Sequence, residues 1–335
     1  MVQILTLQLQ KVSTSPSLRI IGKRILQAIP VLWGVTFLTF SLMNLLPGGS
    51  AAAIAGSGAT KAQVAALAHR LHLDEPFWIR YWHWLSGAAT GHLGASLASG
   101  QPVSSILASR LPVTAELVVI ALILAVCLAI PLASLSVRKP HGIADRISIV
   151  ICMCGLSIPG FVLGLIAILI FAVHLRLLPA IGFTPLSAGL WPNLRTLILP
   201  CSTLGFALMC NYTRVLRADL ADQMNAEDYI ITARAKGIAP WQVLIRHALR
   251  NSMFGLLTLV GLNLGVLIGG TVLIEQVFAI PGMGQELIQA VEIEDVVVVE
   301  AIVVVLSLAV VTASLITDLL YAVLDPRIRY GRPSS

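Results

Sequence analysis

The sequence predicts an all-α polytopic membrane protein, on three observations. Of its 335 residues 57% are hydrophobic and only 11% are charged, whereas a soluble domain carries about 25% charged residues. The mean hydropathy is +0.89. The apolar residues also gather into six runs, each long enough to cross a bilayer core of about 30 Å as a helix.

The elements follow in order. Residues 1–24 form a basic tail with Lys11, Arg19, Lys23 and Arg24 and no acid. Residues 25–46 are the first span. Their 22 residues exceed the roughly 7–15 of a signal-peptide core, so Ala51, Ala52 and Ala53 are not read as a cleavage site. Residues 47–111 form the largest polar connection. In it Thr60 caps a helix through about Arg70, and Pro76 opens another that carries Trp78, Tyr81, Trp82 and Trp84. Such aromatics either mark the membrane–water boundary or pack locally in a small extramembrane subdomain.

The core, 112–324, holds the remaining runs. Leu117–Val137 contains Pro131, a kink that neighbouring spans tolerate. Ser148–Val173 contains Pro159, and Thr196–Thr213 has Pro200 near its start. Gly255–Ile274 and Val296–Leu324 complete the six, and 325–335 is a C-terminal tail. Cys127, Cys152, Cys154, Cys201 and Cys210 all fall inside apolar segments. They read as small buried hydrophobes, not as a disulfide or zinc framework.

Basic residues set the orientation. On one side lie the N-terminal tail, the turn with Arg138, Lys139 and Arg146, the loop 214–252, and the C-terminal tail. The other side holds only Lys61, Arg70, Arg80, Arg110, Arg176 and Arg195. With an even number of spans, both termini and the 214–252 loop are expected in the cytoplasm.

That loop contains a polar, mixed-charge stretch, Asn225 to Asn251. Asn225 with Asp228 reads as a capping-box-like start. Residues 226–236 are mostly helix formers, with Arg234 and Lys236 in the last turn, where the helix dipole favours cations. Gly237 suits a left-handed stop and Pro240 the first turn of a second helix, which carries Arg246, His247 and Arg250. Such an element is either a handle for a soluble partner or an amphipathic helix resting on lipid.

In the fifth run Gly261, Gly265 and Gly269 are spaced four apart on one helix face. They permit close backbone approach, either within the subunit or at a seam with a partner subunit near a pathway. Glu116, Glu275 and Glu300 fall near the outer ends of spans and Asp318 near an inner end. They read as end-caps or ion-pair partners, which argues against an ion-gradient-driven secondary transporter, a class that often places ionisable groups at the midplane.

No phosphate-binding G-x-x-x-x-G-K-[ST] motif, no G-x-S-x-G elbow and no H-E-x-x-H motif occurs. Catalytic residues and cofactors are therefore not expected. His69 and His72 lie on adjacent turns, but two ligands do not make a metal site.

Several motifs together carry a family resemblance. They are Leu73-Asp74-Glu75-Pro76, Gly91-His92-Leu93-Gly94, Arg110-Leu111-Pro112-Val113-Thr114 and Ser157-Ile158-Pro159. Asp228 through Gly237, His247 through Asn251, Glu275-Gln276-Val277-Phe278, Pro281-Gly282-Met283-Gly284 and Asp325 through Tyr330 extend the match. The chain resembles the B-type permease of the peptide/nickel family of bacterial ABC importers, the dipeptide and oligopeptide permeases. Departures are Pro47-Gly48-Gly49-Ser50 without the usual acid, His92 where Asp is common, Glu294-Asp295 for Arg-Asp, and Ile231 where the general pattern has Glu.

The resemblance implies a type I importer permease fold of six spans, with a helical extracytoplasmic loop between the first two. It implies a multi-pass protein of the bacterial cytoplasmic membrane. It also implies as partners a second homologous permease, two ATPase subunits or domains, and an extracytoplasmic solute-binding protein. The ATPase-coupling residues it points to are Asp228, Tyr229, Thr232, Ala233, Arg234, Lys236, Gly237, His247 and Arg250. Ala233 is expected on the docking face. Gly261, Gly265, Gly269 and Glu275 are candidates for the pathway or its packing. The cargo expected is a di- or oligopeptide, with nickel or metal chelates, glutathione, haem, sugars or another small solute as alternatives, and the outer loop is expected to meet the binding protein.

Overall fold

The computed structural model describes residues 16–44, 58–70 and 74–324. Among them the regular structure is helical, apart from one isolated antiparallel bridge between Ala95 and Pro102. The helices are α1 (Pro16–Asn44), α2 (Lys61–Arg70), α3 (Phe77–Ala89), α4 (Val103–Arg138), α5 (Ile143–Ser157) and α6 (Gly160–Ala167). After them come α7 (Leu190–Ala226), α8 (Asp228–Ala235), α9 (Pro240–Val243), α10 (Leu249–Phe278), α11 (Met283–Glu292) and α12 (Val296–Leu324). The short segments Ile168–His174 and Leu244–Ala248 are π-helical.

Four helical stretches among the described residues are long and apolar enough to cross a membrane: Val103–Arg138, Leu190–Asn225, Pro240–Phe278 and Val296–Thr317. Within α1, Leu26–Leu42 is a shorter apolar stretch. The third run is not a straight span. Its two halves, Ile143–Ser157 and Gly160–His174, are bent by 108°. Pro159 is the cause, because it lacks an N–H for the helix ladder and drives Ile158 into an extended conformation (φ −95°, ψ 127°).

The second run begins earlier than its hydropathy suggests. α4 starts at Val103, so the boundary drawn at 111/112 falls inside a helix. Likewise α7 continues thirteen residues past the apolar run, through helix formers with no Gly or Pro to stop it. The expected starts at Thr60 and Pro76 are seen. Thr60 and Gln63 form a reciprocal box, with Thr60 N–H donating to Gln63 Oε1 at 2.9 Å and Gln63 N–H donating to Thr60 Oγ1 at 3.4 Å.

The chain divides into two compact units. Among the described residues, one comprises residues 16–22, 115–280 and 313–324. Its core runs along an alanine stripe on α4: Ala121, Ala125, Ala129 and Ala133, four apart and all fully buried. Small residues on one face let a neighbouring backbone approach closely. A Cβ on Gly205 of α7 would lie 2.7 Å from the Ala121 carbonyl oxygen. The same hydrophobic cluster continues through Leu216 and Leu220 of α7 into Ile230 and Ala233 of α8.

The other unit comprises Lys23–Thr114 and Pro281–Thr312. Its aromatic cluster joins α1 to α3. Phe37 stacks on Trp78 with centroids 5.5 Å apart, and Phe40 meets Tyr81 edge-on at 5.4 Å. Of Trp78, Tyr81, Trp82 and Trp84, Tyr81 is buried in this cluster and donates to or accepts from Thr36 Oγ1 at 3.0 Å. Trp78 and Trp82 keep exposed faces, so of the two expected roles the local packing is seen at Tyr81. Asp295 organises the bridge region. It accepts from Ser96 Oγ at 2.6 Å and from the Leu97, Ala98 and Val298 N–H groups, capping the start of α12 while holding the 96–98 loop. Arg110 and Glu286 pair at 2.8 Å.

Of the cysteines, Cys152, Cys201 and Cys210 are buried free thiols as expected. Cys127 and Cys154 are exposed on the surfaces of α4 and α5, because one side of a membrane helix is itself apolar.

Candidate coupling site

α8 is a helix of two turns bonded to the C-terminal end of α7 and the N-terminal end of α10. Its start differs from the one expected. Asn225 lies in α7, and Glu227, extended at φ −89° and ψ 126°, occupies the cap position without a side-chain cap bond. Capping-box spacing alone did not reveal that α7 would reach Ala226. The stop is as expected: Gly237 has φ +73°, and its N–H donates to the Arg234 carbonyl at 2.9 Å. A Cβ there would meet nothing within 4 Å, so the requirement for glycine is purely conformational. Pro240 opens α9 at its first turn.

Anchoring is extensive. Tyr229 OH donates to Gln223 Oε1 of α7 and accepts from Asn251 Nδ2 of α10 at 3.0 Å. Arg234 Nη2 donates to the Met224 carbonyl at 3.0 Å. Ile230 and Ala233 are buried against Val243, Leu244 and Ala248. Ala233 therefore is not on the outward face where it was expected.

The face that points away carries Asp228, Ile231, Thr232, Arg234, Ala235 and Lys236, followed by Gly237. Ile231, an apolar residue 57% exposed, stands out on it. Sequence reasoning did not single out Ile231 or Ala235 for this face; a helical wheel anchored on Ile230 and Ala233 as the inward pair would have found both. His247 is half-buried in the π-turn and Arg250 is exposed at the start of α10, behind α8 in sequence and outside the bonds that anchor it.

A second support was not legible in the sequence. Asp145 of α5, fully buried, forms a bidentate pair with Arg217 of α7 (Nε–Oδ1 2.6 Å, Nη2–Oδ2 2.9 Å). Ser136 Oγ of α4 also donates to Asp145 Oδ1, and the His141 N–H donates to Oδ2 at 2.9 Å. Arg138 at the end of α4 lies 5.7 Å over the Trp241 ring of α9. Thus α4, α5, α7 and α9 are tied together at the end that carries α8.

The glycine face of α10 serves two purposes. Gly261 packs inside the subunit, where a Cβ would lie 1.7 Å from Thr317 Cγ2 of α12. Gly269 has nothing within 4 Å of such a Cβ, and Leu262, Val266 and Leu273 beside it are exposed. Gly265 between them is half-buried. We expect Gly261→Ala to lower the thermal midpoint of the purified subunit, at about 1–3 kcal/mol for forced overpacking. Gly269→Ala should leave that midpoint unchanged.

Glu275 is fully buried near the end of α10. Glu300 is buried as well, in the field of Arg80. Burial lowers the Arg80 guanidinium from its ordinary value, and Glu300 and Glu75 oppose that shift. Both acids thus lie inside their units, deeper than helix-end caps. No group of three metal-ligating side chains occurs among the described residues. His69 sits 4.0 Å from Asp74, and His72 lies outside the described residues, as do the 47–50 and 325–330 motifs.

A family model described as "Binding-protein-dependent transport system inner membrane component" matches residues 125–330, and its N-terminal counterpart matches residues 17–118. The chain is 38% identical over 311 residues to a putative peptide transport system permease protein of Brucella abortus (strain 2308), covering 93% of this chain and 99% of that protein. It is 37% identical over 308 residues to a probable peptide ABC transporter permease protein of Sinorhizobium fredii (92% and 98% covered). It is 36% identical over 308 residues to a glutathione transport system permease protein of Escherichia coli (strain K12), with the same coverage. Apolar helices, an anchored polar helix between two of them and a match over nearly the whole length agree: the chain belongs to the family of inner membrane components of binding-protein-dependent transport systems.

Proposed function

We propose that this chain is the permease subunit of an ATP-driven importer of peptides, forming half of a gated path. Its partners on this reading are a second related permease, two ATPase subunits or domains, and an extracytoplasmic solute-binding protein. The chain itself carries no ATPase site and acts without a catalytic residue or cofactor. It crosses the membrane six times with both termini in the cytoplasm, so that 47–111 faces outward and 214–252 inward.

The observation that carries this reading is the anchoring of α8. The helix shares one hydrophobic cluster with the spans and is bonded to both α7 and α10. A push on its exposed face therefore moves the inner ends of both long helices together instead of bending a loop. A soluble ATPase that closes on nucleotide supplies such a push, and the path then alternates between its two openings. The six cations of the 214–252 loop favour the cytoplasmic side.

Peptide cargo rests on the relatives, two named for peptide transport and one for glutathione, itself a tripeptide. Metal-chelate cargo and ion-gradient drive have no comparable support. Reconstitution of the complex in liposomes tests the proposal. Uptake of a labelled di- or tripeptide should require ATP inside, the ATPase subunits and the binding protein. Uptake driven by an ion gradient through this chain alone would overturn it.

A further inference from the structure

We infer that a notch between α5 and α7 binds an anionic phospholipid of the leaflet on the α8 side, headgroup phosphate against Arg214 and acyl chain along α5. The leaflet assignment rests on the topology proposed above.

The two helices touch at two levels and part between them. At one level Gly155 admits α7 so closely that a Cβ would lie 2.5 Å from Cys210 Sγ and 2.7 Å from the Phe206 ring. At the other, Asp145 and Arg217 clamp the helices together. Ten residues of α5 separate the two levels, about 15 Å of helix. Between them lies a cavity of about 130 Å³, lined by Ser148, Ile149, Cys152, Met153, Leu156, Thr213, Arg214 and Arg217.

Two features give the notch amphiphile chemistry. First, its wall is apolar, and Met153 and Leu156 are 66% and 43% exposed. Secondly, Arg214 is exposed at its mouth, and unlike Arg217 it is not engaged by Asp145.

The register along the membrane supports the same ligand. Thr213 is the last residue of the fourth apolar run and Arg214 the first cation beyond it; Ser148 opens the third run and Arg146 precedes it. The notch therefore straddles the boundary between acyl chains and headgroups, where basic pockets between spans hold acidic lipids. A free phosphate would use the arginine but leave the apolar wall uncovered.

The test takes the assembled importer in detergent, strips it of lipid, and titrates it with phosphatidylglycerol or phosphatidylcholine. Retained lipid is counted by native mass spectrometry. Phosphatidylglycerol should be retained in preference to phosphatidylcholine. Arg214→Gln should weaken that retention roughly fivefold, the factor expected from one basic residue at a charged surface. Met153→Trp, which fills the notch, should remove the preference while Arg214 is intact. Equal retention of the two lipids, or unchanged retention in both variants, would overturn the proposal. So would displacement by millimolar inorganic phosphate alone, which assigns the site to the free ion. Density for a sister subunit's helix in the notch would overturn it too. Because the readout is lipid retention, failure here leaves ATP-dependent uptake untouched, and failure of coupling leaves lipid retention untouched.

Discussion

Ala235→Trp is expected to abolish uptake while the subunit stays at normal levels in the membrane, whereas Ala233→Asp should remove the subunit itself. The two positions are two residues apart on one short helix but face opposite ways. Ala235 is exposed, so an indole there meets only the partner, and it projects several ångströms from a surface proposed to seat in an ATPase groove. Ala233 is buried among Ile230, Val243, Leu244 and Ala248. A carboxylate there has no partner, and burying an unpaired charge costs several kcal/mol even after relaxation. Immunoblots of membranes beside uptake and ATPase assays separate the outcomes. Normal uptake by well-expressed Ala235→Trp would remove α8 from the coupling path. Gly237→Pro belongs with the first class: proline cannot adopt φ +73° and has no N–H for the Arg234 carbonyl.

The second large effect is expected at the Asp145–Arg217 pair. Arg217→Ala should destabilise the purified subunit by about 3 kcal/mol, because it leaves the Asp145 carboxylate buried with only Ser136 and the His141 N–H. That figure is the low end of the usual range, since Arg217 itself is partly exposed. The double variant Asp145→Leu/Arg217→Leu should recover most of the loss, as buried pairs replaced by apolar residues often do. Thermal unfolding in detergent measures both, and a double variant no better than Arg217→Ala would show that the pair does more than satisfy its own charges. If the clamp also stiffens the base of α8, the recovered double variant should still transport more slowly.

What could be read from the sequence was what depends on neighbours along the chain. Apolar run length predicted membrane helices because lipid demands that a backbone satisfy its hydrogen bonds within the segment. Pro159, Gly237 and Pro240 marked breaks because each acts through its own dihedral angles. Even so, Pro159 bent its run by 108° where a continuous span was expected, since a bend of that size needs only one lost bond and room to turn.

Other features depended on residues far apart in sequence meeting in space. Asp145 and Arg217 are 72 positions apart, and neither looked unusual among the charges that flank the apolar runs. The α10 glycines are alike as a pattern, yet Thr317 of α12 lies against Gly261 and nothing lies against Gly269. Which face of α8 turns outward was settled by the buried cluster that gathers Ile230 and Ala233 with Val243, Leu244 and Ala248, a choice of side that eight residues of local sequence do not encode. Local propensity fixes whether a segment is helical and where it stops; which side of it is buried is decided by the surfaces that the rest of the fold brings to it.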